Sequence, residues 1–129
     1  MEIRAKDLMI GDWVNFMDGP KKVVDVGSSR FCVEGFPNSL GFADPIPLTP
    51  EILEKNGFTS ELDCDIKQYV SKDCRIILQD DDRFLNSQEK WYVHVDSLAM
   101  STIGCCELTY VHELQHFLKL CKIETDLVL

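Results

Sequence analysis

Short apolar runs, each bounded by turn-forming residues, fill the first 44 positions of the chain and constrain its fold most. The runs cover residues 13–16, 22–26 and 30–33. Asp18, Gly19 and Pro20 separate the first two, and Asp-Gly before Pro supplies a positive φ and then a fixed one. Three strands spaced this closely predict a small, strongly bent β-meander or SH3-like barrel over residues 1–48.

A short helix is predicted directly after this meander. Thr49 is a favourable N-cap, Pro50 suits the first helical position, and Glu51 lies in the first turn beside the positive end of the helix dipole. Gly57 can adopt the left-handed C′ conformation, which lets Phe58 fold back onto the helix. We therefore expect a helix that begins at residue 50 and ends just before Gly57.

Four further strands and a closing helix are predicted beyond this point. The strands cover residues 67–71, 75–79, 91–95 and 104–108, and Thr109 is the expected N-cap of a helix from 110 to about 121. Strands, helix, strands and helix in this order predict an α+β fold with antiparallel pairing. Residues 49–129 would form an α+β subdomain packed against residues 1–48 within one structural domain.

Charge and hydropathy exclude several classes of partner. The 129 residues include 13 basic and 22 acidic ones, and the net charge of −9 opposes sequence-independent binding to nucleic acid. No apolar run approaches the roughly 20 residues that a membrane helix requires. Charged residues occupy the N-terminal positions where a signal peptide would need an apolar segment, so we expect a cytoplasmic protein.

The six cysteines do not form a recognisable metal or redox pattern. No two of them are spaced as C-x-x-C, the spacing typical of zinc knuckles and thiol oxidoreductases. Cys105 and Cys106 are adjacent, so on a strand they would point to opposite faces. We expect reduced and mostly buried thiols.

One motif with chemical meaning lies on the predicted closing helix. Residues 112–116 read His-Glu-Leu-Gln-His, which matches the H-E-x-x-H signature of zinc peptidases. In such a site His112 and His116, one helical turn apart, would share a zinc ion. Glu113 would then act as the general base on the zinc-bound water.

The surroundings of the motif argue against a catalytic zinc. A third protein ligand is needed, and the downstream carboxylates Glu124 and Asp126 lack the usual spacing, although upstream His94 stays open as a ligand. One apolar stripe of the helix comprises Tyr110, Val111, Leu114, Phe117, Leu118 and Cys121. His112 and His116 lie almost opposite this stripe, so we expect them to face water.

Other residues with potential chemistry have simpler explanations. Trp13 and Trp91, each inside an apolar strand, are expected in or at the edge of the core, with the indole N–H hydrogen-bonded. Residues 80–82 are three consecutive aspartates that lack the ligand pattern of a calcium loop, and they indicate a solvated acidic turn.

Several segments resemble a group of small uncharacterised proteins from Bacteroidetes, often carried on prophages or other mobile elements. These segments are Ile10–Val14, Pro45–Thr49 with Leu53 and Gly57–Phe58, and Tyr110–His112 with Leu114–Gln115. Members of the group read like "IGN-V", "PIPLTEEWL-KFGF" and "KYVHQLQNLYFALTG" at these places. At the positions of Glu113 and His116 the group usually has Gln and Asn. The chain departs from the group at residues 122–124, where Lys-Ile-Glu stands for Thr-Gly-Glu.

The resemblance implies a shared fold and no particular reaction, because the group has no established activity. It also implies that H-E-x-x-H arose here by chance within a V-H-x-L-Q pattern. We therefore expect a non-enzymatic accessory or protein-binding protein without a cofactor, whose protein partner is unknown. The net charge of −9 and the mobile-element context permit a further hypothesis, in which an acidic surface captures a basic host protein. The alternatives are a minimal zinc-dependent hydrolase, with His112 and His116 as ligands and Glu113 as base, or a non-catalytic zinc or nickel site on the two histidines.

Overall fold

Three strands, a helix, five strands and a second helix follow one another along the described chain, and this order confirms the α+β class. The computed structural model describes residues 2–63, 66–71, 76–80, 91–96, 102–120 and 126–129. Its elements are a 3₁₀ turn (Ala5–Asp7), β1 (Trp13–Phe16), β2 (Gly19–Val26), β3 (Phe31–Val33), α1 (Pro50–Lys55), β4 (Thr59–Asp63), β5 (Ile66–Val70), β6 (Ile76–Asp80), β7 (Trp91–Asp96), β8 (Thr102–Leu108) and α2 (Val111–Leu120). No helix within the described residues is long and apolar enough to cross a membrane.

The chain forms two compact units, each of which consists of two separate stretches of sequence. Unit 1 comprises Met1–Pro47 and Tyr110–Thr125, and unit 2 comprises Leu48–Thr109 and Asp126–Leu129. The sequence-based division at residue 48 lies one residue from the observed one. The assignment of α2 differs, because this helix bonds to residues 10–13 and therefore belongs with the N-terminal strands.

The sheet of unit 1 is a three-stranded antiparallel meander in the order β1-β2-β3. Its strands fall at the predicted places, and a register shift between Val23 and Asp25 bends β2. The buried side chains around it are Ile3, Ala5, Leu8, Val14, Val23, Phe31, Val33, Leu40 and Ala43. The meander is confirmed, and closure into an SH3-like barrel stays a prediction.

The β1–β2 hairpin turns at a different residue from the one predicted. Phe16 pairs with Gly19, so Gly19 and Pro20 already belong to β2. Met17 and Asp18 form the two-residue loop, and the positive φ of 56° falls on Met17. A non-glycine residue in this left-handed region costs about 1 kcal/mol. The predicted turn is confirmed but its assignment to Gly19 is wrong, because strand register decides where the loop falls.

Helix α1 begins and ends as the sequence predicts. The Thr49 hydroxyl accepts a hydrogen bond from the amide of Ile52 at 3.3 Å. Gly57 has a φ of 88°, and the next amide, of Phe58, donates to the carbonyl of Leu53 at 3.0 Å. Phe58 and Leu53 are both buried, so the C-terminal turn folds back onto the helix as expected.

The sheet of unit 2 is a five-stranded antiparallel meander in the order β4-β5-β6-β7-β8. Strands β5 to β8 correspond to the four predicted runs. Strand β4, with the sequence Thr-Ser-Glu-Leu-Asp, was not predicted, because it lacks the apolar alternation that identifies a strand. It lies at one edge of the sheet, where polar residues are common.

Trp91 anchors the interior of unit 2. Its side chain is fully buried, its indole nitrogen donates to the carbonyl of Leu48 at 2.9 Å, and its ring meets Tyr69 edge-on at 5.6 Å. The predicted core role of Trp91 is confirmed. Trp13 in unit 1 is half-buried at the core edge, with the Lys22 ammonium 5.7 Å from its ring centre.

Candidate functional site

The His-Glu-Leu-Gln-His motif lies in the first turns of α2, and its glutamate helps to start the helix. The Glu113 carboxylate accepts a hydrogen bond from the amide of Tyr110 at 2.9 Å. This contact, from the third helical residue back to the residue before the helix, is half of a capping box. Tyr110 therefore takes the cap position that the sequence assigned to Thr109.

Polar side chains of α2 attach the helix to the segment that leads into β1. Gln115 accepts from the amide of Trp13 and donates to the carbonyl of Gly11, both at 2.9 Å. One turn later the Lys119 ammonium donates to the carbonyl of Ile10 at 3.2 Å. Because Gln115 satisfies both a donor and an acceptor of one backbone segment, it fixes the position of the helix along that segment.

His116 makes the shortest of these contacts. Its Nε2 lies 2.6 Å from Oδ2 of Asp12, whose side chain is fully buried. The same carboxylate oxygen accepts from the amide of Met9 at 2.8 Å. Asp12 thus joins a backbone turn to the helix, and a buried carboxylate needs such partners because burial removes its hydration.

His112 lies one turn before His116 and is more deeply buried, with 6% of its surface exposed. Its ring stacks on Tyr110 at 5.9 Å and meets His116 edge-on at 5.8 Å. Its Nδ1 has no hydrogen-bond partner among the described residues. Burial lowers the pKa of His112, the charges of Glu113 and Asp12 oppose this shift, and His116 adds to it.

The prediction that His112 and His116 face water is therefore wrong. His112 is buried, and only 28% of the His116 side chain is exposed. A helical wheel identifies the apolar stripe correctly, since Val111, Leu114 and Leu118 are buried. It does not show that another segment covers the polar face as well and satisfies its hydrogen bonds.

In the observed geometry Nε2 of His116, a candidate zinc ligand, contacts Asp12. Two ligands of one tetrahedral zinc, each about 2.0–2.2 Å from the metal, stand a little over 3 Å apart. The 2.6 Å separation of His116 Nε2 and Asp12 Oδ2 is instead that of a short, charge-assisted hydrogen bond. Within the described residues no group of three His, Cys, Asp or Glu side chains is placed to hold a metal.

The structure describes only part of the other candidate ligands. Asp126 is exposed and belongs to unit 2, and Glu124 lies outside the described residues. His94 is on β7 in unit 2, and its side chain is also outside the description. The Glu113 carboxylate, the proposed base, is bonded to the helix start. Among the described residues, no third ligand is therefore identified beside His112 and His116.

Among the six cysteines, the structure describes the side chain of Cys32 alone. Cys32 on β3 is a half-buried free thiol. Cys105 and Cys106 are consecutive residues of β8, and no description extends to their side chains. Cys64, Cys74 and Cys121 lie outside the described residues, as do the second and third aspartates of residues 80–82.

Sequence reasoning missed the residue at the centre of this cluster, Asp12. Asp12 follows Gly11, which has a φ of 97°, directly before β1. A buried carboxylate has no local signature, because its partner on α2 is 104 positions away. The only available signal was an ionisable residue directly before an apolar strand.

Comparison with known proteins gives no information on function, so the function is argued from the contacts described above. No protein-family model, no curated protein and no solved structure matches the chain.

Proposed function

We propose that this chain is a non-enzymatic accessory protein that acts by binding another protein. The proposal rests on one observation: the three motif residues that could take part in zinc chemistry, His112, Glu113 and His116, make structural contacts. Glu113 starts α2, His116 holds Asp12, and His112 is buried against Tyr110. Side chains that hold a helix in place are not available to bind and turn over a substrate.

The distribution of charge supports a basic partner. The sequence of unit 2 contains 13 acidic and 6 basic residues, against 9 and 7 in unit 1. An acidic protein attracts basic surfaces over a distance set by the ionic strength, and this attraction raises the rate of encounter. We therefore propose a basic protein as partner and not a nucleic acid or a membrane.

The setting of this function comes from the resemblance of residues 10–14, 45–58 and 110–115 to small Bacteroidetes proteins of mobile elements. We propose a cytoplasmic protein of prophage or mobile-element origin that binds a host protein. This setting is independent of the contacts around Asp12, so either can fail without the other.

Metal content and hydrolysis by tag-free protein, purified without chelator, test the proposal. We expect no retained zinc, no cleavage of an unstructured protein such as casein, and normal folding of Glu113→Gln, whose amide oxygen can still accept from Tyr110. His116→Ala is the matched variant for metal binding. About one zinc per chain that is lost in His116→Ala, with cleavage that is lost in Glu113→Gln, would replace the proposal by the zinc hydrolase.

A further inference from the structure

The side chain of Asn56, at the end of α1, holds the segment Asp126–Leu129 within unit 2. Its Oδ1 accepts a hydrogen bond from the amide of Val128 at 2.7 Å, and its Nδ2 donates to the carbonyl of the same residue at 2.8 Å. Nδ2 also donates to the carbonyl of Ile52 at 2.8 Å. Both the donors and the acceptor of this amide are therefore used, and two of these three bonds go to the segment.

The segment is held in two different ways at neighbouring residues. Leu127 is buried, with 3% of its surface exposed, whereas Val128 is 56% exposed. Leu127 therefore contributes its side chain to the interior, and Val128 contributes the backbone groups that Asn56 binds. A substitution at Leu127 acts on the docking of the segment, whereas alanine at Val128 keeps both bonds to Asn56.

Gly57 follows Asn56 directly, and an asparagine-glycine pair can modify itself. The glycine amide nitrogen, after it loses its proton to hydroxide, attacks Cγ of the asparagine, since no glycine side chain hinders the approach. The bond from Cγ to Nδ2 breaks, Nδ2 takes up a proton and leaves as ammonia, and a cyclic succinimide remains. Water opens the succinimide at either carbonyl and gives aspartate or isoaspartate. The net reaction consumes one water and releases one ammonia.

The folded chain keeps both reacting groups of this pair occupied. The amide of Gly57 donates to the carbonyl of Glu54 at 3.2 Å in the turn that ends α1, where Gly57 has a φ of 88°. The side-chain amide of Asn56 is bonded to Ile52 and to Val128. Attack requires both groups to leave their partners, so the rate of the reaction depends on how often this turn and the segment open.

The product of the reaction cannot make the same contacts. At neutral pH a carboxylate at position 56 has no hydrogen to donate, and one of its oxygens would stand where Nδ2 meets the carbonyls of Ile52 and Val128. Two carbonyls that lose their donor and face a negative oxygen disfavour the docked state. Isoaspartate also lengthens the main chain by one carbon beside Gly57. Because ammonia is lost, the change is permanent.

We propose that Asn56 and Gly57 form a self-modification site, which the docked segment Asp126–Leu129 suppresses and whose product releases that segment. The pair thus acts as a one-way switch: each opening of the segment gives the reaction a chance to occur, and the reaction then prevents the segment from docking again as tightly. This switch is independent of the proposed protein-binding function, since it uses no residue of α2.

Mass spectrometry of the full chain, incubated folded at mildly alkaline pH, tests the control by the segment. Reaction replaces NH₂ by OH at Asn56, and peptide fragmentation locates this mass increase. Leu127→Ala removes the buried side chain of the segment, so Asn56 should react at least about tenfold faster than in the unmodified chain. Val128→Ala is the matched control and should react at the unmodified rate. In concentrated urea all chains should share one faster rate.

A second variant releases the segment without a cavity. Val128→Pro lacks the amide that donates to Oδ1 of Asn56, and it should also react faster than Val128→Ala. Hydrogen exchange on the same samples shows whether the amides of β5 and β7 keep their protection, and the rate is compared in the variant that retains it.

Asn56→Asp tests the effect of the product. We expect the amides of residues 127–129 to exchange about tenfold faster than in the unmodified chain, while those of β5 and β7 keep their protection. Ser60→Asp adds the same charge at an exposed position of β4 and should leave this exchange unchanged.

Three results would overturn the proposal. Equal rates of reaction in the folded unmodified chain, Leu127→Ala and Val128→Pro would show that the segment does not control the site. Unchanged exchange of residues 127–129 in Asn56→Asp would show that the product does not release the segment. A chain in urea that gains no mass at Asn56, or gains it no faster than the folded chain, would reject the site itself.

Discussion

The two units solve the same problem, an antiparallel sheet with a covered core, by different routes. In unit 2 every strand pairs with its neighbour in sequence, so the sheet forms from consecutive connections. Unit 1 requires α2, and the contacts of Asp12, Trp13 and Gly11 with that helix span more than 100 positions. Local pairing can form early and independently, whereas closure across the intervening chain costs more entropy.

The side chains that fill the interiors of the two units also differ. Unit 2 centres on Trp91 and Tyr69, and the indole N–H of Trp91 is satisfied by a nearby carbonyl. Unit 1 buries two ionisable side chains: Asp12 is fully buried and His112 is almost fully buried. Apolar packing tolerates changes of pH, whereas buried ionisable groups make stability depend on it. Variants should therefore affect the units separately and by different causes.

The largest effect is expected from Trp91→Ala in unit 2. Removal of a fully buried tryptophan leaves a cavity and should lower the free energy of unfolding by about 3–5 kcal/mol. Urea unfolding gives the magnitude, and hydrogen exchange shows where protection is lost. We expect the amides of β5 and β7 to lose protection and those of β1 and β2 to keep it.

Trp13→Ala is the matched control for this change. Trp13 is half-buried in unit 1, so its removal should cost about 1–2 kcal/mol and act on the β1 and β2 amides. Equal loss of protection in both units for either variant would show that the chain unfolds as one cooperative block, and the comparison would then fail.

Asp12→Ala should have the next largest effect, in unit 1. The change removes the acceptor of the Met9 amide and of His116, and each buried group that loses its partner costs about 1–3 kcal/mol. We expect a loss of about 2–3 kcal/mol, with the exchange of α2 amides accelerated most. Asp25→Ala, at an exposed position on β2, should stay within about 0.5 kcal/mol of the unmodified protein.

A smaller loss of stability, which depends on pH, should come from His112. It is smaller because it arises from the protonation of one side chain. Its pKa is lower in the folded protein than the 6.5 of the free side chain, chiefly through burial. Below pH 6.5 the unfolded state then binds more protons, so this contribution to stability is present above 6.5 and is lost as the pH falls. Protection of the α2 amides should decrease from pH 7.5 to pH 5.5.

His112→Phe keeps an aromatic ring beside Tyr110 and removes the titrating group, so it should reduce this decrease. His94→Gln, which changes the histidine of β7, should leave the decrease in α2 as it is. An undiminished pH dependence in His112→Phe would show that the effect does not come from His112.

The smallest effect should come from Thr49→Ala at the start of α1. N-cap substitutions by alanine cost about 0.5–2 kcal/mol, and the 3.3 Å bond to the Ile52 amide points to the lower end, about 0.5 kcal/mol. Thermal unfolding measures this loss, and Thr49→Ser should restore it. Retained stability in Thr49→Ala would mean that Pro50 and the buried Leu53 suffice to position the helix.

Much of unit 2 and the strands of unit 1 could be predicted, because their signals are local. Thr49 and Gly57 bound α1 through contacts within four residues, and the runs near β1 and β7 alternate or stop at turn residues. Strand β4 could not be predicted, because an edge strand tolerates polar residues and then lacks an apolar pattern. The positive φ of Met17 could not be predicted either, because the register between two strands decides which residues form the hairpin loop.

By itself the sequence determined the α+β class, the hairpins, both helices and the apolar stripe of α2. Tertiary structure alone decided that the opposite face of α2 is covered too and that Asp12 is bonded to His116. The physical reason is that propensity and periodicity act within a few residues, whereas the burial of a polar side chain depends on a partner from a distant segment that satisfies its hydrogen bonds.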